Sequence, residues 1–523
     1  MDFRQYVNSD LNNKYKELLG DKKGTPYKAH IQVSDFSIFK DKYRQYKKRL
    51  DDEKYSFNRA VDTVNQNKLA REQAERDRIR NAQLRKEENK RKRKRAISKT
   101  LLLTSVIYLF LIPALYLIAP QILFKHIHFG WLLLGAVVSL IVSRISLKKR
   151  EKNDWDYSKD KAFYKRIRRL SFYIPIVVIV IASFTVGSRT FNLSTPADFN
   201  LLGNMPFAGT ADYVVTQDID FEGKDMKGWG KMGEFSGTFE GNNHTLSNIS
   251  IDRNIKLGNL EGDYGLVGYI KGGTVKNLSI KDSNVNLTYD GMVIPDSIGI
   301  IAGKVYEYYG SSIENCQVYD TKINIKIDSS SDDSVGTFIG GIVGYNYRLV
   351  KNCEFGYSEM SEDSFVVDVV DNSVYTRIGG IAGGSICDDD TEIVDCISAN
   401  AKITLKTNSR SKVHSAMGGI VGVINASDVI RCVSTSKCET IMENSPYEKE
   451  IYNGTVVGEV FNKMGAITDC VTYGEATSSI GSTTYENVSV IESRHFSVSD
   501  LPSAFSKWKN TNRGYPTPCD SLN

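Results

Sequence analysis

The chain has 523 residues, which is enough for several domains. Its hydrophobic content of 41% and charged content of 25% are typical of folded proteins and exclude a wholly disordered chain. The formal net charge of +5 conceals an asymmetry. Residues 1–189 carry 41 Lys+Arg against 19 Asp+Glu, whereas residues 190–523 carry 26 against 43. Such a division indicates two chemical environments.

Residues 1–99 predict a basic and mostly helical arm. No glycine occurs between Gly24 and Gly130, and the segment is rich in Lys, Arg, Glu, Gln and Ala, which favour helices. Apolar residues are sparse after Val64, which indicates a solvated helix or a loose coiled coil. The arm has no phosphate loop, kinase motif set or HExxH sequence, so no catalytic role is predicted for it. Phe36, Phe39, Tyr43 and Tyr46 recur at helical spacing, and two interpretations stay open: packing on a cytoplasmic partner helix or on each other.

Three apolar runs follow, and each is free of acidic residues. They span about 101–124, 129–145 and 170–187. A helix needs ~20 apolar residues to cross the ~30 Å hydrocarbon core, so the runs predict three transmembrane helices within residues 100–189. The first 100 residues are polar, so no cleavable signal peptide is expected.

Basic residues predict the orientation of these helices. The run "KRKRKR" occupies 90–95, and residues 144–169 hold 11 Lys+Arg against 4 acids. Because cytoplasmic flanks are enriched in Lys and Arg, the N-terminus and a loop at 146–169 should be cytoplasmic, with 190–523 outside. A nucleic-acid patch is the alternative interpretation of 90–95. Its position beside an apolar run favours the lipid bilayer as its partner, and no nucleic-acid partner is expected.

Residues 190–523 contain an internal repeat. Short runs such as "GGIVG" recur at intervals of 35 to 41 residues, each followed by a run such as "VKNCEF". The repeat glycines are Gly268, Gly303, Gly344, Gly383, Gly422 and Gly458. Two or three short strands in each period predict a right-handed parallel β-helix, in which glycines allow tight corners or close approach of neighbouring coils. A β-propeller is the rival architecture, but its blades need four strands and ~40–50 residues.

Five cysteines hold one repeat position, and Leu278 holds it in the preceding period. They are Cys316, Cys353, Cys396, Cys432 and Cys470. Stacked coils keep Cβ vectors parallel and ~4.8 Å apart, which suits neither a disulfide nor a tetrahedral zinc site. We expect a buried ladder of free thiols. Cys387, Cys438 and Cys519 lie off this register and their redox state is left open.

The acidic clusters are candidates for metal binding. Asp388, Asp389 and Asp390 are consecutive, and their carboxylates would provide a weak calcium site. A solvated loop is the alternative for these residues and for Asp332 and Asp333. The two clusters occupy different points of their periods, so no paired-carboxylate catalytic site is predicted and no cofactor is expected.

The "GGIVGYN…VKNCEF" pattern resembles the GLUG repeat of bacterial surface β-helices and of the non-catalytic regions of immunoglobulin A metallopeptidases. Residues about 195–522 carry the resemblance, including "GTFEGNNHT" at 237–245 and "KWKNTNRGYPTPCDSL" near the end. The resemblance implies a β-helical scaffold rather than an activity. The peptidase activity does not carry over, because none of the six histidines is followed by Glu as HExxH requires.

These features favour a bacterial plasma-membrane protein with three spans, a cytoplasmic N-terminus and an extracellular β-helix. We expect an adhesin-like module that binds an extracellular protein or glycan, without enzyme activity. Excursions at 288–296, 326–337, 356–376 and 406–415 are the candidate contact loops. Two alternatives stay open: a subunit or sensor of a membrane complex, and a polysaccharide-acting enzyme.

Overall fold

The structure is a computed structural model of the whole chain. It describes residues 33–126, seven positions between 131 and 145, 189–205, 207–255, 262–291, 296–306, 308–329, 336–360, 364–370, 375–387, 391–407, 413–442, 449–461, 465–473, 488–491, 501, 503–510 and 515–518. The chain divides into two units, Met1–Ile97 and Ser98–Asn523.

The described part of the N-terminal arm, from residue 33 onward, is helical, as predicted, and belongs to one helix. Helix α1 spans Val33–Ile118. Between residues 40 and 93 nearly every side chain is exposed to solvent. Ion pairs one turn apart, such as Arg76–Glu72 at 3.4 Å and Lys92–Glu88 at 2.8 Å, support a helix whose faces are mostly polar.

The first apolar run does not form one helix to residue 124. Helix α1 ends at Ile118, and a short helix α2 spans Pro120–His126. Pro120 explains the break, because proline lacks an N–H and disfavours the α conformation of the residue before it. The end of the run therefore belongs to a separate element, and Phe124, which we expected in a span, is fully buried.

Within the residues that the structure describes, no helix combines the length and the apolar character that a membrane crossing requires. The second predicted span, 129–145, is described at seven helical positions, and the third, 170–187, lies outside the described residues. The prediction of three spans is therefore not supported by the described part of the chain.

The described strands between Thr190 and Ile491 form a parallel β-solenoid, which confirms the predicted solenoid class. Among the described residues, four parallel sheets form its sides. Sheet I contains Thr190–Leu193, Asp212–Val215, Ile219–Asp220, Thr238–Ser247, Thr274–Lys281, Ser312–Glu314, Gln317–Tyr319, Leu349–Lys351, Glu354–Gly356, Glu392–Val394, Ile397–Ala399, Asp428–Ile430, Val433–Ser434, Ile467–Thr468, Cys470–Tyr473 and Val488–Ile491. Sheet II contains Ser250–Ile255, Asn284–Gly291, Lys322–Ser329, Phe365–Val370, Lys402–Thr407 and Lys437–Met442.

The two remaining sheets complete each coil, which runs in the order I, II, III and IV. Sheet III contains Asp263–Tyr264, Ser297–Gly299, Gly336–Gly340, Tyr375–Gly379, Val413–Gly418 and Lys449–Gly454. Sheet IV contains Glu234–Phe235, Val267–Ile270, Ala302–Val305, Val343–Asn346, Ala382–Ile386, Val421–Asn425 and Val457–Val460. Every pairing between successive coils in these sheets is parallel, which excludes the antiparallel blades of a propeller.

The "GGIVG" runs form a corner between two sheets rather than a single strand. In one coil Gly340 ends the sheet III strand and Val343 begins the sheet IV strand. A Cβ on Gly340 would lie 1.9 Å from the Val343 carbonyl oxygen, and a Cβ on Gly344 would lie 2.4 Å from the Ile298 nitrogen of the preceding coil. Only glycine fits positions where backbone approaches this closely.

A second bend divides the sheet I strands of the later coils. The residue before each stacked cysteine has a positive φ, for example 52° at Asn315 and at Asn352 and 53° at Asp395. Asn and Asp tolerate this left-handed conformation better than other residues with a side chain. The bend turns the following cysteine into the solenoid interior, where Cys353 and Cys396 are fully buried.

Short helices precede the first coil of the solenoid, and a C-terminal segment packs along sheet I. The first coil is preceded by 3₁₀ helices Pro196–Asn200 and Ala208–Thr210 and by helix α3, Leu201–Asn204. Near the C-terminus, 3₁₀ helix Ser503–Phe505 and the antiparallel pair Lys509–Asn510 and Pro516–Thr517 form a closing segment. Phe505, Trp508 and Tyr515 of this segment pack on Ile397, Val433 and Val471 of sheet I.

Candidate functional site: an aromatic and basic stripe

Aromatic side chains project outward from sheets III and IV and from the turns that follow the sheet IV strands. We define the aromatic stripe as Tyr269, Tyr306, Tyr308, Tyr309, Phe338, Tyr345, Tyr347, Tyr375 and Tyr452. Neighbouring rings are in contact range through most of its length, with centroid distances of 6.5 Å for Tyr269–Tyr306, 6.0 Å for Tyr306–Tyr347 and 4.3 Å for Tyr345–Tyr347. Tyr309 is 85% exposed. Exposed apolar surface of this kind is typical of interaction sites.

The pairing of strands between successive coils brings the residues of the stripe next to one another. In sheet IV, Lys304 pairs with Tyr269 of the preceding coil and with Tyr345 of the following coil. In sheet III, Phe338 pairs in the same way with Arg377 of the following coil. Because residues paired across parallel strands project from the same side of the sheet, these side chains form continuous columns.

Lys304 lies among three rings. Its Nζ is 5.4 Å from the Tyr306 centroid, 5.5 Å from that of Tyr345 and 5.1 Å from that of Tyr347. These distances are within the range of cation–π attraction, which orders the lysine and the rings together. The centre of the stripe is therefore a basic group inside an aromatic cluster.

Two arginine side chains also lie against aromatic rings of the stripe, as Lys304 does. The Arg348 guanidinium lies 4.5 Å from the Tyr309 centroid, and that of Arg377 lies 5.6 Å from the Phe338 centroid. The Phe338 ring lies on sheet IV, 4.2 Å from Tyr345, because Gly384 leaves it room: a Cβ there would meet the Phe338 ring at 2.5 Å. Burial lowers the pKa of Arg377, since part of its hydration is removed.

The C-terminal end of the stripe carries a charged cluster. His414 lies between Tyr375 and Tyr452, with ring centroids 5.8 and 5.3 Å away. Its Nδ1 lies 3.0 Å from the Glu450 carboxylate and its Nε2 lies 3.0 Å from the Glu459 carboxylate. Among the described residues, no group of His, Cys, Asp and Glu side chains is arranged to hold a metal ion.

A groove of about 640 Å³ lies at the corner between sheets I and II, away from the stripe. Asp282, Asp320 and Lys322 contribute to its lining. The Asp320 carboxylate already accepts hydrogen bonds from the backbone and hydroxyl of Ser358, at 2.8 and 2.7 Å. Its polar groups thus serve the turns of the solenoid, and the stripe is the better candidate.

The stacked cysteines lie inside the solenoid and away from the stripe. All five are fully buried and free, and Leu278 occupies the same column. The thiols donate to backbone carbonyls of the preceding coil, as Cys353 Sγ does to Ile313 O at 3.7 Å. Burial raises the pKa of Cys396 and of Cys470, and raises that of the half-buried Cys438 to about 12.

The repeat glycines lie on the sheet IV strands in one column, and a Cβ on Gly422 would lie 2.5 Å from the Gly383 carbonyl oxygen. The candidate calcium ligands Asp388, Asp389 and Asp390 lie outside the described residues, as do Asp332 and Asp333. Of the ranges predicted as contact loops, 356–376 contains Tyr375 of the stripe and 406–415 contains His414. The structure places both residues on sheet III strands, Tyr375–Gly379 and Val413–Gly418, rather than in loops.

Sequence reasoning missed the stripe itself. A usable signal was present, because an aromatic residue directly follows two of the repeat glycines, in Gly268-Tyr269 and Gly344-Tyr345. The equivalent positions elsewhere hold Lys304 and Gly384, so the pattern is not periodic in residue type. Only the stacking of the coils assembles these unlike residues into one surface.

Comparisons with known proteins give limited matches. No known family profile matches the chain. Halomucin from Haloquadratum walsbyi is 27% identical over 136 residues, which is 24% of this chain and 1% of halomucin, so the chain spans a very small part of that relative. A solved structure of a candidate immunoglobulin A1 protease from Bacteroides ovatus is 17% identical, with a TM-score of 0.38, and the match covers 63% of this chain and 91% of that one.

Proposed function

We propose that this chain is a membrane-anchored cell-surface protein whose β-solenoid binds an extracellular glycan through the aromatic stripe. The observation that carries the proposal is the outward column of tyrosines interleaved with Lys304, Arg348 and Arg377. Sugar rings present C–H faces that stack on aromatic rings, and their hydroxyls hydrogen-bond to tyrosine and to basic groups. Tyrosine and arginine are also the residues that most often dominate binding energy at interfaces.

The scaffold suits this role because it preorganises the stripe. Tyr269, Lys304 and Tyr345 stand on strands that pair in register, so their spacing is set by the stacking of coils at ~4.8 Å. A surface held this way loses little conformational entropy when a ligand binds. An extended polymer lying along the solenoid axis would contact several coils at once.

The anchor rests on the sequence. The runs at 101–124, 129–145 and 170–187 lack acidic residues and are flanked by basic segments on the predicted cytoplasmic side. Contacts of helix α2 support the predicted orientation, since Phe124 is buried and Asn204 Nδ2 donates to its carbonyl oxygen at 3.1 Å. If the first span ends with helix α1 at Ile118, helix α2 belongs to the connection to the second span, and a connection that packs on the solenoid must lie on the solenoid's side of the membrane.

The anchor is tested by labelling intact cells with a membrane-impermeant maleimide. Cysteine introduced at His126, an exposed position of α2, should react on intact cells, and cysteine at Glu87 should react only after permeabilisation. The unmodified chain measures the background from native thiols. Reaction at Glu87 on intact cells, or none at His126, would contradict the proposed topology.

The binding site is tested with full-length chain in phosphatidylcholine nanodiscs on a panel of neutral and acidic glycans. The pair of substitutions Tyr306→Ala and Tyr347→Ala should weaken binding at least about tenfold, because two of the three rings around Lys304 are lost. Tyr319→Ala is the matched control, since Tyr319 lies under Lys281 at 5.4 Å on sheet I, off the stripe. Equal affinity of the stripe variant and the control would refute the site.

A membrane-complex subunit or sensor is the second candidate, and helix α1 favours it. Tyr55 and Phe57 are 71% and 67% exposed on an otherwise polar helix, which suits a helical partner. A pull-down from the native host with full-length chain and with residues 1–89 deleted tests it. A stable partner lost on deletion would favour this candidate. The proposal assigns the chain no catalytic activity.

A further inference from the structure

Two basic side chains flank the aromatic pair at the centre of the stripe. Lys304 lies on one side, with Nζ 5.5 Å from the Tyr345 centroid. Arg377 lies on the other, with its guanidinium 5.6 Å from the Phe338 centroid. Tyr345 and Phe338 are themselves 4.2 Å apart. The four groups form a continuous surface of cation, ring, ring and cation, which we call the central tetrad.

Neither cation of the tetrad has a carboxylate within 4 Å in the part of the chain that the structure describes. Some basic groups elsewhere on the solenoid do have a close acidic partner, as in Arg431–Asp395 at 2.7 Å and Arg253–Asp225 at 2.6 Å. Residues 190–523 hold 43 acids against 26 basic residues, so acidic partners are abundant. Among the described residues none of these acids pairs with Lys304 or Arg377, so both cations are open to an external anion.

Partial burial of Lys304 and Arg377 makes it unfavourable for these cations to have no acidic partner. Lys304 and Arg377 are both only half-exposed. Glu459 acts on Arg377 through space without closing an ion pair. A partly desolvated cation gains more from a bound anion than a fully hydrated one does, since the local dielectric is lower.

The spacing suits an extended ligand. Lys304 pairs with Tyr345 of the next coil in sheet IV, and Phe338 of that same coil pairs with Arg377 of the coil after it in sheet III. The two cations thus stand two coils apart, or ~10 Å along the axis at ~4.8 Å a coil. A polymer with anionic groups at intervals would reach both while its rings cover Phe338 and Tyr345.

We infer that the ligand of the stripe is a polysaccharide that carries carboxylate groups, held by Lys304 and Arg377 with its sugar rings on Tyr345 and Phe338. This inference rests on the proposed function, because it names the ligand class of the same site. Its chemistry is that of uronic-acid polymers. A neutral glycan would stack on the rings of Tyr345 and Phe338 but would offer no carboxylate to the two cations.

The test compares acidic polymers with uncharged counterparts of the same backbone. Full-length chain in phosphatidylcholine nanodiscs is titrated with polygalacturonate, alginate and hyaluronan, and with the methyl-esterified or carboxyl-reduced form of each. At least one acidic polymer should bind about tenfold more tightly than its neutral counterpart, and the difference should shrink at high salt.

Variants separate the inference from the proposed function. Lys304→Gln and Arg377→Gln should remove most of the preference for the acidic form while binding of the neutral form stays measurable. Lys281→Gln, which removes a lysine that lies over Tyr319 on sheet I, is the matched control and should leave the preference intact.

The possible results of these titrations separate the carboxylate inference from the proposed glycan binding. Equal binding of acidic and neutral forms would overturn the carboxylate inference and leave glycan binding standing. A charge preference that survives both Gln variants would also overturn it. If no polymer of either kind binds, and the wider glycan panel is negative too, both the inference and the proposed function fail.

Discussion

Lys125 of helix α2 and Asp198 of the first 3₁₀ helix form an ion pair with Nζ and Oδ1 2.8 Å apart. Asp198 is 3% exposed, and it also accepts hydrogen bonds from the Thr195 backbone at 2.8 Å and hydroxyl at 2.7 Å. Asn200 Nδ2 donates to the Lys125 carbonyl at 2.9 Å. The segment between the first two apolar runs is therefore fastened to the entrance of the solenoid by charge and hydrogen bonds as well as by Phe124.

The stability of this junction should depend on acid pH. Burial alone would raise the pKa of Asp198, but hydrogen bonds from Lys125, Thr195 and the Ser194 backbone hold it below its usual value. A lowered native pKa stabilises the fold above the unfolded pKa of ~3.9, and the contribution is lost as pH falls through the native pKa. Asp198→Asn should therefore destabilise the chain at neutral pH, and the difference from the parent should vanish in strong acid.

Urea unfolding of full-length chain at a series of pH values from neutral to strongly acidic checks this. Asp212→Asn is a useful control, since it removes an acid of the same region that is not paired with Lys125. An Asp198→Asn difference that does not change with pH would show that the carboxylate charge contributes nothing.

Substitution of Gly344 should be far more damaging than substitution of a glycine in open space. A Cβ there would lie 2.4 Å from Ile298 N and 2.7 Å from Gly303 O, so two coils must separate. We expect Gly344→Ala to cost ~3 kcal/mol or more, by analogy with overpacked cores. Thermal unfolding followed by circular dichroism measures the loss.

The control for that substitution is Gly223→Ala. Gly223 has a φ of +73°, but no atom lies within 4 Å of the place that a Cβ would occupy, so only backbone strain of ~1 kcal/mol is expected. Similar losses at both positions would mean that coil spacing is not limited by Gly344.

The closing segment should be held by Glu354. This carboxylate is fully buried and accepts hydrogen bonds from Tyr515 Oη at 3.0 Å, Thr517 Oγ1 at 2.8 Å and Gln317 Nε2 at 3.3 Å. Tyr515→Phe leaves one carboxylate oxygen without that donor, which should weaken the segment by ~1–3 kcal/mol.

Hydrogen exchange of residues 501–518 measures this local opening, while strands of sheet II report global stability. We expect faster exchange in the closing segment alone. Tyr319→Phe, which removes a tyrosine hydroxyl from another part of sheet I, should leave exchange in the segment unchanged. Acceleration throughout the solenoid would instead mean that the segment unfolds only together with the coils.

The five stacked cysteines should resist alkylation in the folded chain. All are fully buried, so the reagent cannot reach their sulfur atoms in the folded chain, and burial also raises the pKa of Cys396 and Cys470. Iodoacetamide followed by peptide mass analysis should modify Cys387 before Cys438, because both are half-buried and burial raises the pKa of Cys438 to about 12. Modification of Cys353 or Cys396 at the same rate without denaturant would contradict the buried ladder.

The periodic, inward-facing part of this protein is readable from its sequence. Glycine spacing predicts the coil length, and the observed register, in which Val343 pairs with Ala382 and Ala382 with Val421, repeats that spacing. This succeeds because the interior of a solenoid imposes the same steric demand on every coil, so each period must supply a small or apolar residue at the same place.

The solenoid, its register and the helical arm could thus be predicted from the sequence. The stripe, the burial of Glu354 and the packing of Phe124 against the solenoid became visible only in the three-dimensional structure. Lys304, Phe338 and Arg377 stand on three different coils and share no residue type, so no periodicity connects them. Outward-facing side chains are not packed in the core of the solenoid, so their residue types need not repeat from coil to coil as those of inward-facing side chains do. In the sequence, an apolar residue such as Phe124 looks the same whether its side chain faces lipid or a protein core. Only its contacts in the structure distinguish the two environments.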